Sequence, residues 1–169
     1  MADATPLIDP IQKDVEGTKQ GSKFYGCCCD SRRAVIALNT LDIVFNFALY
    51  ITFAVFDKEA MNGEQAAVWI VNQVWNAATI FGAFCYSDIV VIMGVMWQLF
   101  RIIGIIYLTA KYYAISSTES HVATICYLCI AFPLIISTIY ANILFAYEVR
   151  KDIMSKETYK RERYSCCCV

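Results

Sequence analysis

Long apolar stretches alternate with short polar segments along the chain. Four stretches of membrane-spanning length are predominantly apolar, at residues 34–56, 66–86, 89–110 and 122–147. A helix needs about 20 such residues to cross the hydrocarbon core of a bilayer. None of the four alternates strictly between polar and apolar positions as a membrane β-strand does, so helices are the simplest way to satisfy the backbone in lipid. The pattern predicts an all-α fold, an integral membrane four-helix bundle.

Composition and the distribution of basic residues extend this prediction. The chain is 59% hydrophobic, and its mean hydropathy of +0.50 is far from that of an average soluble protein. Basic residues concentrate before the first stretch and after the last, whereas only Lys58 and Lys111 lie near the two intervening outer loops. Because basic flanks favour the cytosolic side, both termini are expected in the cytosol. The turn at Ser87 and Asp88 falls on the same side without a basic residue.

This topology divides the chain into three parts. Residues 1–33 are predicted to form a disordered cytosolic tail, residues 34–147 the four-span transmembrane domain, and residues 148–169 a basic cytosolic tail. The polar first segment contains no apolar core of a cleavable signal peptide, so the first span is expected to act as the insertion signal.

Six of the nine cysteines stand in two triplets, Cys27, Cys28 and Cys29 before the first span and Cys166, Cys167 and Cys168 near the end. Both triplets are predicted on the reducing side, beside the membrane or on a basic tail, which favours S-acylation over disulfides. A zinc site is a weaker alternative, because directly adjacent cysteines are poorly spaced for one tetrahedral ion. The final "CCCV" also has the frame of a prenylation box, and an unmodified triplet stays open.

The first tail carries a candidate sorting signal. The segment "DATPLI" places Asp3 four residues before Leu7 and Ile8, which looks like the acidic dileucine motif that clathrin adaptors bind on endosomal and lysosomal cargo. Leu7 and Ile8 would fill an apolar slot while Asp3 contacts a basic patch, and Pro6 would lower the cost of ordering the peptide. The alternative is a chance match in a polar tail.

Polar residues inside the apolar stretches are the candidate site. The set comprises Asn39, Asp42 and Asn46 in the first stretch, Asn72, Gln73 and Asn76 in the second, and Gln98 and Arg101 in the third. A charge facing lipid costs at least a few kcal/mol, so Asp42 and Arg101 are expected to turn inward and meet. Amides of the second helix would satisfy the remaining groups. Gly94 and Gly104 are expected to allow close approach of the third helix.

Two interpretations of this cluster stay open. It could line a path for a small solute or proton, as buried ionisable groups do in many transporters. It could instead be a structural clasp that fixes the order of the helices. The absence of a second acidic group in the predicted cluster favours the clasp.

Two segments carry a resemblance to a known family. "FYGCCCDSRRAVIALN" at residues 24–39 and "FGAFCYSDIVVIMGVMWQLFRIIGII" at residues 81–106 are similar to parts of the lysosome-associated protein transmembrane family, small four-span proteins of late endosomes and lysosomes. The resemblance implies cytosolic termini, lysosomal or vacuolar membranes, and roles in cargo trafficking and in handling small molecules or lipids. Arg101 matches an arginine deep in that family's third span. Family members often carry Pro-Tyr motifs in the last tail, and this tail has none.

Other function classes find little support. The sequence contains no glycine-rich phosphate loop, HExxH pair or GxSxG elbow, and its one histidine, His121, has no nucleophile nearby. A net charge of −1 argues against nucleic-acid binding. We therefore expect no enzyme, no metal and no cofactor. The expected partners are the bilayer and, through the first tail, clathrin-adaptor-type proteins, with homo- or hetero-oligomers left open. The predicted protein acts in trafficking at the endosome, lysosome or vacuole; the alternative is a small-solute or proton-coupled transporter.

Overall fold

A computed structural model describes residues 30–56, 63–113 and 118–155. Four helices make up nearly all of this part: α1 (Ser31–Phe56), α2 (Gly63–Phe84), α3 (Asp88–Tyr113) and α4 (Thr118–Arg150). Within the described residues there is no β-strand, which confirms the predicted all-α class. α4 runs past residue 147, so the first residues assigned to the last tail are helical.

Local chemistry fixes the helix ends. The Asp30 carboxylate accepts a hydrogen bond from the Arg33 backbone N–H at 2.8 Å, which is the usual N-terminal cap. α2 ends where Tyr86 adopts a left-handed conformation, with φ of 55°, and the Ser87 N–H bonds the Gly82 carbonyl at 2.9 Å. Glycine usually occupies this position. Here the Tyr86 ring packs beside the Phe145 ring, and these contacts hold the short turn into α3.

The helices pack in a closed ring, in which α1 contacts α2, α2 contacts α3, α3 contacts α4, and α4 returns to α1. Three segments are long and apolar enough to cross a membrane: Ser31–Thr52, Asp88–Tyr107 and Ile125–Arg150. The structure therefore supports a membrane protein. α2 is not among the three, since amide side chains interrupt its apolar sequence.

The apolar core lies toward the end of the ring that contains Ser31 and Arg150, called here the Ser31 end. Val35, Val91 and Phe145 are buried there and come from three different helices. Met154 follows α4 and is also buried, because the chain turns back after Arg150. This core fixes how the helices are aligned along their axes, and the buried polar side chains lie beside it toward the other end of the ring.

Candidate functional site

An ion pair lies in the interior between α1 and α3. Arg101 Nη1 is 2.5 Å from Asp42 Oδ2, so the contact predicted from the sequence is present. The Asp42 side chain is 1% exposed and that of Arg101 10%. Two buried charges are stable only if hydrogen bonds also satisfy the carboxylate lone pairs and guanidinium N–H groups that the ion pair itself does not engage.

Amides from α1 and α2 complete the coordination of Asp42. Asn76 Nδ2 donates to Oδ2 at 2.7 Å, and Asn46 Nδ2 donates to Oδ1 at 2.8 Å. Both carboxylate oxygens therefore accept hydrogen bonds, which offset part of the cost of burying this polar group.

The guanidinium of Arg101 is held in the same way. Its Nη1 also lies 3.3 Å from Gln98 Oε1, and Nη2 donates to Asn46 Oδ1 at 3.1 Å. Gln98 Nε2 then donates to Asn76 Oδ1 at 3.0 Å. These five residues, Asp42, Asn46, Asn76, Gln98 and Arg101, are called the polar cluster. Three helices contribute to it, and each member contacts at least two others.

The other predicted site residues lie outside the polar cluster. Asn39 points toward α4, where its Nδ2 donates to Asn142 Oδ1 at 3.2 Å. Asn72 accepts a hydrogen bond from Trp97 Nε1 at 3.0 Å. Gln73 has its amide oxygen and nitrogen both buried, without a hydrogen-bond partner among the described residues. The eight polar residues thus divide among three separate interhelical contacts and one unpaired amide.

Three buried polar residues of α4 were missed by the sequence analysis, namely Thr138, Asn142 and Glu148. Asn142 is fully buried beside Asn39, and Glu148 is fully buried where the Ser31 hydroxyl donates to its Oε2. Helical spacing was the available signal for Asn142, which lies four residues after Thr138 on the same face of α4. The sequence predicts residue 148 in the last tail, where a glutamate after the end of a span is expected to be exposed.

Both cysteine triplets and the sorting residues Asp3, Leu7 and Ile8 lie outside the described residues. The cysteines of the described part, Cys85, Cys126 and Cys129, are free and exposed. That part also contains no group of three metal-ligating side chains.

The polar cluster adjoins neither of two surface grooves in the described region. One groove of about 250 Å³ runs between α3 and α4 and is lined by residues such as Ile106, Thr109 and Phe132. The other, of about 310 Å³, runs between α1 and α4 beside Leu41 and Pro133. Both are open and apolar, so the ion pair contacts protein atoms rather than a cavity.

No protein-family model, no curated protein and no solved structure matches this chain. The resemblance to the lysosome-associated protein transmembrane family therefore rests on the two quoted segments, at residues 24–39 and 81–106.

Proposed function

We propose that the protein is a four-span bundle with both termini in the cytosol, and that it acts in endolysosomal or vacuolar trafficking through protein and lipid interactions. The observation that carries this proposal is the set of hydrogen bonds that closes on itself within the polar cluster. In the described part of the chain, the side-chain hydrogen bonds of Asp42 and Arg101 all go to other members of the cluster, and neither residue lines the two grooves described above. Such an arrangement suits a structural clasp that joins the helices. The activity of the protein would then be binding by other parts of the molecule.

The outward surface of α2 supports a fourth span. Every exposed residue from position 66 to 84 is apolar, and Val68, Val74 and Phe81 are each at least 60% exposed. Its amides Asn72 and Asn76 are buried. A helix that hides its polar side chains and presents aliphatic and aromatic ones outward is arranged for contact with lipid.

The positions of the basic residues support the orientation. α1 begins beside the end of α4, as the contact between Ser31 and Glu148 shows. Arg33 and Lys151 therefore lie at the same end of the ring. Basic residues at one end of a set of spans favour its placement in the cytosol, which would put the sorting segment and the cysteine triplets where adaptors and acyltransferases act.

Localisation tests the trafficking role. We expect an internally tagged Leu7→Ala/Ile8→Ala protein to move from compartments with an endolysosomal marker to the cell surface, because the adaptor slot loses both apolar side chains. The matched control is Ile11→Ala/Val15→Ala, which removes two apolar side chains of the same tail outside the motif. Equal distribution of the two variants and the wild type would contradict the sorting role.

A transporter is the second candidate, and Gln73 is the observation that favours it. An unpaired amide inside a membrane helix is unfavourable, and such groups often face a transported solute. Gln73 lies one turn from Asn76, which contacts Asp42.

Replacement of Gln73 by leucine separates the two candidates. If the helices are a scaffold, Gln73→Leu is expected to raise the free energy of unfolding by about 1–3 kcal/mol, because a buried donor and acceptor without partners are removed. Thermal unfolding in detergent measures the gain, and proteoliposomes with an entrapped pH-sensitive dye measure proton flux. A flux that is present in the wild type and lost in Gln73→Leu would favour the transporter.

A further inference from the structure

The groove between α1 and α4 has the shape and surface of a hydrocarbon site. Leu38, Leu41 and Phe45 form one wall, and Ile130, Pro133 and Ser137 form part of the other. Each wall follows one helical face, because its members are spaced by three or four residues. Phe45 also stacks on Tyr127, with ring centroids 6.1 Å apart. The groove is therefore a slot along the helix axes, apolar except for one hydroxyl.

The groove lies at the depth of one leaflet. At 1.5 Å per residue, Leu38 is ~8 Å and Phe45 ~18 Å along α1 from Arg33. The hydrocarbon core of a bilayer is about 30 Å thick. With Arg33 at the interface, the groove spans the acyl region of the leaflet at the Ser31 end.

A cation lies beyond the α4 wall at the Ser31 end. On α1, the face shared by Leu38, Leu41 and Phe45 continues to the buried Ala34, and Arg33 lies on a different face, 3.7 Å from Asp30. On α4, the face of Ser137 continues through positions 140, 144 and 147 to Lys151. The Lys151 N–H still bonds the Tyr147 carbonyl at 3.0 Å, so the helical spacing extends to this exposed lysine.

We propose that this groove binds one acyl chain of an anionic phospholipid, whose phosphate lies beside Lys151. The aliphatic walls match the chain, and the cation beyond the α4 wall matches a negative headgroup at the interface. The site rests on α1 and α4 crossing the bilayer, as in the proposed function, and is independent of a trafficking role.

Lipid retention by the full-length protein tests the headgroup contacts. Native mass spectrometry would compare phosphatidylserine and phosphatidylcholine with identical acyl chains. Each basic residue near an anionic surface is worth about a fivefold change in affinity, so Lys151→Gln should weaken phosphatidylserine binding about fivefold. The control Arg150→Gln also removes one positive charge from the same end of α4, on the side where Arg150 bonds Asp88. Equal losses in both variants would overturn the site.

A second pair of variants tests the groove. Ser137→Phe fills it, and Thr109→Phe makes a comparable change in the groove between α3 and α4. We expect Ser137→Phe to weaken binding of both lipids about tenfold, through lost contact with the chain, and Thr109→Phe to leave it unchanged. Similar binding by these two variants would show that the chain does not occupy the groove.

Alkaline carbonate extraction separates failure of this site from failure of the spans. Release of the wild-type protein from membranes would show that its helices do not span the bilayer, and both proposals require that they do. An inserted protein without preference for phosphatidylserine would overturn the lipid site alone.

Discussion

Removal of either charge of the buried ion pair is expected to lower the free energy of unfolding by about 3–5 kcal/mol, because the other charge then stays buried without its partner. The variants are Asp42→Asn and Arg101→Gln, which keep the size and some hydrogen bonding of each side chain. Asn46 and Asn76 would still contact the remaining charge, but an amide dipole does not replace a full opposite charge at 2.5 Å. Thermal unfolding of the detergent-solubilised protein measures the loss.

The exchanged pair Asp42→Arg/Arg101→Asp is the decisive variant for the clasp. The neighbouring amides can rotate to present oxygen instead of nitrogen, so the cluster can accept the reversed charges. We expect the exchange to recover a substantial part of the lost stability. An exchange that is less stable than both single variants would contradict a clasp that depends on the ion pair.

The exposed ion pair between Arg150 and Asp88 is the matched control. Its atoms Nη2 and Oδ2 are 3.0 Å apart, and the Arg150 side chain is 66% exposed. Exposed pairs contribute about 0–1 kcal/mol, since water screens both charges. Asp88→Asn should therefore change stability much less than Asp42→Asn, although both remove an aspartate that contacts an arginine. A comparable loss in both variants would mean that burial does not govern the effect.

The ion pair could be predicted from the sequence because neither charge has another oppositely charged partner inside the apolar stretches. Asp42 and Arg101 are the only charges well inside their apolar stretches, so each had to find the other. The amides were harder to assign. Asn39 and Asn46 are seven residues apart on one face of α1, yet Asn39 contacts α4 and Asn46 contacts Arg101 on α3. A helix in a four-helix ring faces two neighbours and also the helix across the interior, and helical spacing alone does not say which of the three a residue meets.

Glu148 shows a different limit of sequence analysis. Its charge and its position after the last apolar residue predicted a place in the solvated tail. The structure buries it because α1 begins directly opposite, where Ser31 donates to its carboxylate. Such a contact depends on the axial alignment of α1 and α4. The apolar core around Val35 and Phe145 sets this alignment.

The glycines of α3 give the second large effect that we expect. A Cβ on Gly94 would lie 2.2 Å from Thr79 Oγ1 and 3.1 Å from its Cγ2, so Gly94→Ala forces α2 and α3 apart or displaces Thr79. Thr79 is 1% exposed and bonds the Trp75 carbonyl at 2.8 Å, which leaves it little room to move. Overpacking of this kind costs about 1–3 kcal/mol, and thermal unfolding in detergent would measure the loss.

Gly104→Ala is the control in the same helix, because a Cβ there meets no atom within 4 Å. Alanine favours helix over glycine by up to about 1 kcal/mol, so this variant should be neutral or stabilised. Thr79→Ala should also restore part of the stability of Gly94→Ala, since it removes the two nearest of the three Thr79 atoms that the new methyl group meets. Equal stability of the two glycine variants would show that α2 and α3 separate freely at Gly94. The sequence predicts close approach at both glycines alike, and only the side chain that lies opposite distinguishes them.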